Sequence, residues 1–240
     1  MAISEASFSQ ESAADLSANL SANLSGRLSK IRALIPPPVR LIAVSKTFPG
    51  SIVRAAYAEG IRDFAENKVQ EALSKQADLS DLTDVTWHFI GHIQSNKSRK
   101  VVENFNWIHS VDSLKLANRL DRQAAELNRC PNCCLQVKLL VDPNKDGFDV
   151  DELMAALPAL DQLEHLNICG LMVILPYGLS PSASAAGFAK AQDLAKRINQ
   201  SGMIRAKMTE LSMGMSGDFE AAIAAGATMV RIGSGLFGSR

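Results

Sequence analysis

Apolar and polar positions alternate along this chain in a fixed rhythm. Short runs of branched or aromatic residues are followed by longer stretches whose apolar positions recur at helical spacing. The run Val39-Arg40-Leu41-Ile42-Ala43-Val44-Ser45-Lys46-Thr47 follows Pro36-Pro37-Pro38 and predicts a buried parallel strand with Lys46 at its C-terminal mouth. Before it, leucines at 16, 20, 24 and 28 with Ile31 fall on one helical face and predict a helix from about residue 11 to 34. After it, further strands are predicted at 61–66, 85–91, 107–111, 135–141, 168–174, 209–213 and 229–233. Helices are predicted between them: Pro49 to Gly60, Asn67 to Leu79, the stretch up to Asn104, and one capped by Asp112 or Ser113 that reaches Asn128. Others are predicted over about 149–160, over about 185–200 after a Gly/Pro/Ser-rich loop from Pro176 to Ser184, and from Asp218 to Ala225.

Eight strands separated by helices, with no break in composition between them, predict a single (β/α)8 TIM barrel over 27–240. Residues 1–26 form a Ser/Ala-rich, partly helical extension; an open doubly wound sheet is the runner-up. At 47% hydrophobic residues the chain can bury such a core, and its 25 basic and 25 acidic residues cancel, so no basic stripe marks a nucleic-acid binder. No apolar run approaches the length of a membrane span, and the N-terminal segment lacks the pattern of a signal or transit peptide. A soluble cytoplasmic protein is expected.

Three stretches carry candidate chemistry. An amine at a strand mouth is partly desolvated, so its neutral, nucleophilic form becomes accessible, as a Schiff-base lysine requires; Lys46 is the candidate. Leu211-Ser212-Met213-Gly214-Met215-Ser216-Gly217-Asp218 and Arg231-Ile232-Gly233-Ser234-Gly235-Leu236-Phe237-Gly238 follow strands seven and eight. Barrels commonly bind phosphate in those two loops, where glycines admit a ligand close to the backbone and serines add donors. Strand eight lies beside strand one in a closed barrel, which brings Arg231 near Lys46. There Arg231 either faces a ligand ring or pairs with a carboxylate such as Glu210. An amine, a phosphate cradle and an arginine at one rim suggest pyridoxal 5′-phosphate (PLP).

Ala43-Val44-Ser45-Lys46-Thr47, Phe64-Ala65-Glu66-Asn67 with Val69-Gln70-Glu71, and His88-Phe89-Ile90-Gly91 with Gln94-Ser95-Asn96-Lys97 are motifs in family order. Ser212-Met213-Gly214-Met215-Ser216 and Met229-Val230-Arg231-Ile232-Gly233 with Phe237-Gly238 complete the set. From about Arg27 to Arg240 the chain resembles the YggS/PROSC family of pyridoxal-phosphate-binding proteins. The resemblance implies a fold like the N-terminal barrel of alanine racemase (fold type III) without that enzyme's second, β-rich domain. By matching position, Lys46 would carry PLP as a Schiff base, and Ser212, Gly214, Met215, Ser216, Gly233 and Ser234 would hold its phosphate. Met213 is counted with them as cofactor-binding, Arg231 would face the pyridine nitrogen, and Asn67 and His88 would line the ring. Two departures stand out: Lys68 replaces the family's usual tyrosine, and the residues before Lys145-Asp146-Gly147-Phe148 are atypical.

The resemblance further implies a monomeric, non-enzymatic protein of intracellular PLP homeostasis, with PLP-dependent enzymes as acceptors. The residues agree with binding over turnover. A protonated arginine opposes protonation of the pyridine nitrogen and weakens the electron sink. Racemisation needs an acid and a base on opposite faces of the substrate, and the chain offers only Tyr57, in an outer helix, and Tyr177, on a loop. A small PLP-dependent amino-acid racemase using Tyr177 is the alternative, and a lysine-dependent aldolase on the same barrel is a third class. Cys130-Pro131-Asn132-Cys133-Cys134 holds a C-x-x-C with no second ligand pair, read as a half-exposed approach to strand five. His92, His109 and His165 lack ligand spacing, and no metal is expected.

Overall fold

The structure is a computed structural model that describes residues 13–140, 142 and 146–238. Its strands are β1 (Arg40–Val44), β2 (Asp63–Glu66), β3 (Thr86–Phe89), β4 (Trp107–Val111), β5 (Asn132–Gln136), β6 (Asn167–Met172), β7 (Glu210–Ser212) and β8 (Met229–Ile232). They pair in parallel in chain order and close, with β8 beside β1, into the expected barrel. The helices are α1 (Ala13–Leu34), α2 (Gly50–Ala58), α3 (Val69–Asp78), α4 (Ser98–Asn104), α5 (Leu114–Leu127), α6 (Val150–Leu160), α7 (Pro181–Ser201), α8 (Phe219–Ala224) and α9 (Ser234–Phe237). Alternate strand residues point to opposite faces, and the two parities here have different company. Ala43, Phe64, Phe89, Ile108, Leu135, Leu171 and Val230 join the large core under the helices. Ile42, Val44, Ala65, Trp107, Cys134, Met172 and Met229 form a smaller cluster inside the barrel.

Local chemistry sets the element ends. Ser113 caps α5 by accepting the Leu116 amide, and Asn128 ends it in the left-handed region at φ 51°. Asp149 and Glu152 form a capping box on α6. α7 starts at Pro181 rather than near 185, because Ser180 accepts the Ala183 amide and proline suits the first helical position.

Strand five departs from expectation. It begins at Asn132, so Cys133 and Cys134 are fully buried inside the strand rather than half exposed before it. It ends at Gln136 because the chain then pairs with the segment returning to α6: Phe148 donates to the Gln136 carbonyl and Lys138 to the Phe148 carbonyl, each at 2.9 Å. Val141, at the far end of the expected run, lies outside the described residues.

The division expected between residues 26 and 27 falls in the middle of α1. Leu24 before it and Leu28 and Ile31 after it are all buried in the main core, where α1 packs on α2 and α9. Residues 1–12 and the side chains of Leu16 and Leu20 lie outside the described residues. Leu28 is 1% exposed and Leu34, on the same helix, 50%. Leu28→Ala is therefore expected to lower stability by about 2–5 kcal/mol through lost burial and a cavity, and Leu34→Ala by under about 0.5 kcal/mol. Urea unfolding of the two variants checks this; equal effects would mean that α1 does not belong to the barrel's cooperative core.

Candidate functional site

A cavity of about 610 Å³ opens at the C-terminal ends of the strands, within the usual size of small-molecule sites (about 300–1,000 Å³). Val44, Lys46 and Phe48 contribute from β1 and the loop after it, Asn67 from the end of β2, and Ile90 and Gly91 from the end of β3. Met215, Ser216 and Gly217 come from the loop after β7, and Arg231, Gly233 and Ser234 from β8 and its exit. The pairing of Ile42 with Arg231 across the β1–β8 seam brings the amine and the guanidinium to one rim.

The backbone on both sides of Lys46 is clamped from behind. Lys75 of α3 is 5% exposed, and its Nζ donates to the Ser45 carbonyl at 2.7 Å, to Glu66 Oε1 at 2.7 Å and to Glu71 Oε1 at 2.8 Å. Ser45 Oγ donates to Glu66 Oε1 at 2.7 Å, and the Thr47 amide donates to Glu71. Thr47 has a φ of 68°, a left-handed conformation that costs a β-branched residue on the order of 1–3 kcal/mol. It persists because its amide is tied down. Burial raises the Glu66 pKa, against the hydrogen bonds from Lys75 and Ser45. Glu71, less buried, is held below its usual value by Lys75 and the Thr47 amide, which together outweigh its desolvation.

Arg231 is 3% exposed. Its Nη1 donates to Ser212 Oγ at 2.6 Å and its Nη2 to the Val173 carbonyl at 2.9 Å. Among the described residues no carboxylate pairs with it; Glu210 instead accepts from Thr228 Oγ1 at 2.6 Å, so the pairing considered for Glu210 is not made. Burial pulls the Arg231 pKa down to about 10, with Cys134 and Asp218 opposing the fall, and the group stays protonated at neutral pH.

The two glycine-bearing bends are tied together by the Gly235 amide, which donates to Ser216 Oγ at 3.0 Å. Gly214 has a φ of +91°, and a Cβ there would sit 2.6 Å from Ala222 Cβ, so neither the turn nor its packing tolerates a side chain. A Cβ on Gly91 would lie 2.1 Å from the Asn67 carbonyl oxygen, and this close approach presents Asn67 to the cavity. Asn67 Oδ1 is buried there without a hydrogen-bond partner, a vacant acceptor of the kind a ligand satisfies.

The structure thus gathers Lys46, Asn67, Met215, Ser216, Arg231, Gly233 and Ser234 around one cavity. It places the other singled-out residues elsewhere. Gly214 lies behind the wall, where its carbonyl accepts the Arg231 amide at 3.0 Å. Met213 points into the core under the helices. Ser212 and His88 are fully buried in the barrel interior, joined through His109. Tyr177 is fully exposed, and Tyr57 donates to Asp84 Oδ1 at 2.5 Å on the outer surface. Lys75 and its carboxylates went unassigned from the sequence, although Glu71 and Lys75 stand four apart on one helix face. Spacing also hid a trio, His92, Asp112 and Asp146, whose ligand atoms lie within 4.8 Å of one another at the surface.

The family model described as alanine racemase, N-terminal domain, matches residues 20–240. A protein of Synechocystis sp. named pyridoxal phosphate homeostasis protein is 56% identical over 212 residues, which span 88% of this chain and 96% of its own. PipY of Synechococcus elongatus superposes at a TM-score of 0.86 and 55% identity without PLP, and at 0.85 and 53% with PLP bound. Each comparison covers 90% of this chain and 100% of PipY. Alanine racemase of Clostridium difficile matches at a TM-score of 0.70 and 16% identity over 91% of this chain and 57% of its own, a likeness of fold alone.

The clamp behind Lys46 makes a coupled set. Lys75→Ala leaves Glu66 buried without its cation and is expected to cost about 3–5 kcal/mol. Replacing both partners, as Glu66→Gln with Lys75→Met, is expected to recover most of that loss, because the desolvated charges disappear together. Urea midpoints of the single and double variants measure the coupling, and a double variant no more stable than Lys75→Ala would remove it.

Proposed function

This chain belongs to the family of the pyridoxal phosphate homeostasis proteins, and from that premise we propose that it holds PLP reversibly at the β1–β8 rim without efficient turnover. The observation that carries the reading is the convergence of Lys46, Arg231 and two glycine- and serine-lined bends on one cavity. The donor set fits the cofactor group by group: a primary amine for an aldehyde, serine hydroxyls and exposed backbone for a phosphate, and a guanidinium for a pyridine nitrogen. When bound, PLP supplies an aldehyde that condenses reversibly with an amine. Lys46 provides that amine, and the clamp on Ser45 and Thr47 aims it into the cavity. Arg231 would donate to the ring nitrogen and, being cationic, would oppose its protonation. Ser216 and Ser234, with the glycines beside them, would hold the phosphate end, and Asn67 would line the ring.

Turnover would need a second proton-transfer group within hydrogen-bond reach of the substrate. Among the described residues the cavity wall offers Lys46 as its basic amine, and neither tyrosine of the chain lines it. That supports a carrier over a catalyst, and the proposal is of a monomer in the cytoplasm that passes PLP to PLP-dependent enzymes. No helix among the described residues is long and apolar enough to cross a membrane.

The protein saturated with PLP is expected to be yellow, with a visible band that borohydride bleaches and fixes onto the chain. Lys46→Ala is expected to lose that band while keeping the far-ultraviolet dichroism of the barrel. Incubated in D2O with a panel of amino acids, the holoprotein is expected to exchange α-hydrogen no faster than free PLP does. Exchange well above that level, abolished by Lys46→Ala, would overturn the carrier reading in favour of a racemase.

A further inference from the structure

Side chains of branched aliphatics usually fill the interior of such a barrel. Here a line of polar groups runs through it from the floor of the cavity. Arg231 Nη1 donates to Ser212 Oγ at 2.6 Å, and Ser212 Oγ lies 2.8 Å from His109 Nδ1. His109 Nε2 lies 2.9 Å from His88 Nδ1, and His88 Nε2 lies 2.9 Å from Asp63 Oδ1. Ser212, His109 and His88 are fully buried. Asp63 opens β2 at the opposite end of the barrel, partly exposed, with Arg40 Nε 3.8 Å away.

Donor and acceptor rules fix every proton on this line. An ionised carboxylate only accepts, so His88 Nε2 carries the hydrogen that faces Asp63. Burial works against a charged imidazole at both sites and holds both histidines below their usual pKa. A neutral His88 presents a lone pair at Nδ1, so His109 Nε2 must donate to it. His109 Nδ1 is then an acceptor and takes the Ser212 hydroxyl proton, leaving a Ser212 lone pair for Arg231. The reverse order would set an imidazole lone pair against the carboxylate at 2.9 Å. The protons therefore all point from the guanidinium towards Asp63.

We propose that this one-way chain makes Asp63 the remote counter-charge of Arg231, and that Asp63, His88 and His109 are positioning residues for the guanidinium at the cavity. The chain polarises along its length, so the far carboxylate favours a protonated arginine with one nitrogen anchored downwards while no carboxylate takes up its cavity-facing side. The packing around the line is consistent with a fixed geometry. Trp107 stacks on His88 with ring centroids 5.8 Å apart and 13° between the planes, and Arg40 lies 5.1 Å over the Trp107 ring. Arg40, Asp63 and Arg231 are the charged groups that face the two imidazoles, and Asp218 and Cys134 lie within electrostatic reach of Arg231 without bonding to it.

The effect on cofactor affinity rests on the function proposed above; the proton order does not, so the two are tested apart. Long-range 15N–1H correlation on the full-length, histidine-labelled apoprotein at pH 7.5 is expected to show His88 and His109 both neutral and both protonated at Nε2. Either ring as the Nδ1–H tautomer, or as imidazolium, overturns the proposal. Asp63→Asn keeps an acceptor but removes the charge and can also present an amide N–H to His88. With its carbonyl in the place of the carboxylate oxygen the proton order can persist, so the loss of charge is what it tests: it is expected to weaken PLP binding about tenfold. Ser212→Ala, which cuts the line next to Arg231, is expected to weaken PLP binding similarly. A folded Asp63→Asn protein whose PLP affinity matches that of the unsubstituted chain would sink it. Should Asp63→Asn fail to fold, the tautomers of the unsubstituted apoprotein and the affinity of Ser212→Ala still decide.

Discussion

Everything at the cavity depends on the seam where β8 meets β1. Four residues of each strand pair there, from Arg40 with Met229 to Ala43 with Ile232, while β7 meets β8 through a single registered pair, Ser212 with Met229. The partners across the seam lie far apart in the sequence, so their pairing carries a large loop-closure cost. Closure also removes the two sheet edges that an open arrangement would expose. Its functional consequence is geometric. Lys46 leaves the top of β1 and Arg231 sits on β8, and only the seam makes them neighbours. α1 reinforces it from outside by packing on α2 and α9, the helices that follow β1 and β8.

Near this seam the fold buries two cations and treats them differently. Lys75 receives direct carboxylate partners, Glu66 and Glu71, and spends its remaining donor on the Ser45 carbonyl. It is saturated, and its role is to hold backbone. Arg231 receives a hydroxyl and a carbonyl. A carboxylate laid directly on its guanidinium would occupy the donors that a ligand needs, and would offset the positive field that keeps a facing ring nitrogen unprotonated. Neutral contacts anchor Arg231 without neutralising it.

The alternation of apolar runs with helical stretches was enough to read the barrel, because strands buried on both faces are short, apolar and bounded by breakers. Trp107–Val111 and the Ser113 cap emerge where the pattern puts them. Strand five starts and ends earlier for a physical reason: 135–141 is the more apolar stretch, but from Lys138 its backbone turns to Phe148, while the small thiols of Cys133 and Cys134 are buried in the strand itself. The four-residue α9 is too short to show a periodicity. At the site, sequence located Lys46, Arg231 and both bends. It could not separate Arg231 from His88, because alternation gives the face of a strand and not the depth along the barrel axis. Depth follows from strand tilt and stagger, which set His88 below the cavity and Asn67 beside it.

That difference in depth decides which of the barrel's polar groups a bound molecule could reach. Imidazole is the commonest proton-transfer group near neutral pH, and this barrel has two at its centre. Both are sealed in the interior with each ring nitrogen within 2.9 Å of another polar atom: Asp63 and His109 around His88, and His88 and Ser212 around His109. Neither has a free nitrogen to offer a substrate. The cavity wall meanwhile is largely aliphatic and glycine-lined around one amine and one guanidinium. A group that must accept and return protons during turnover needs a hydrogen-bonding site that empties and refills; here those sites are committed to orienting an arginine. The imidazoles that could move protons are joined instead, through Ser212, to the guanidinium at the cavity floor.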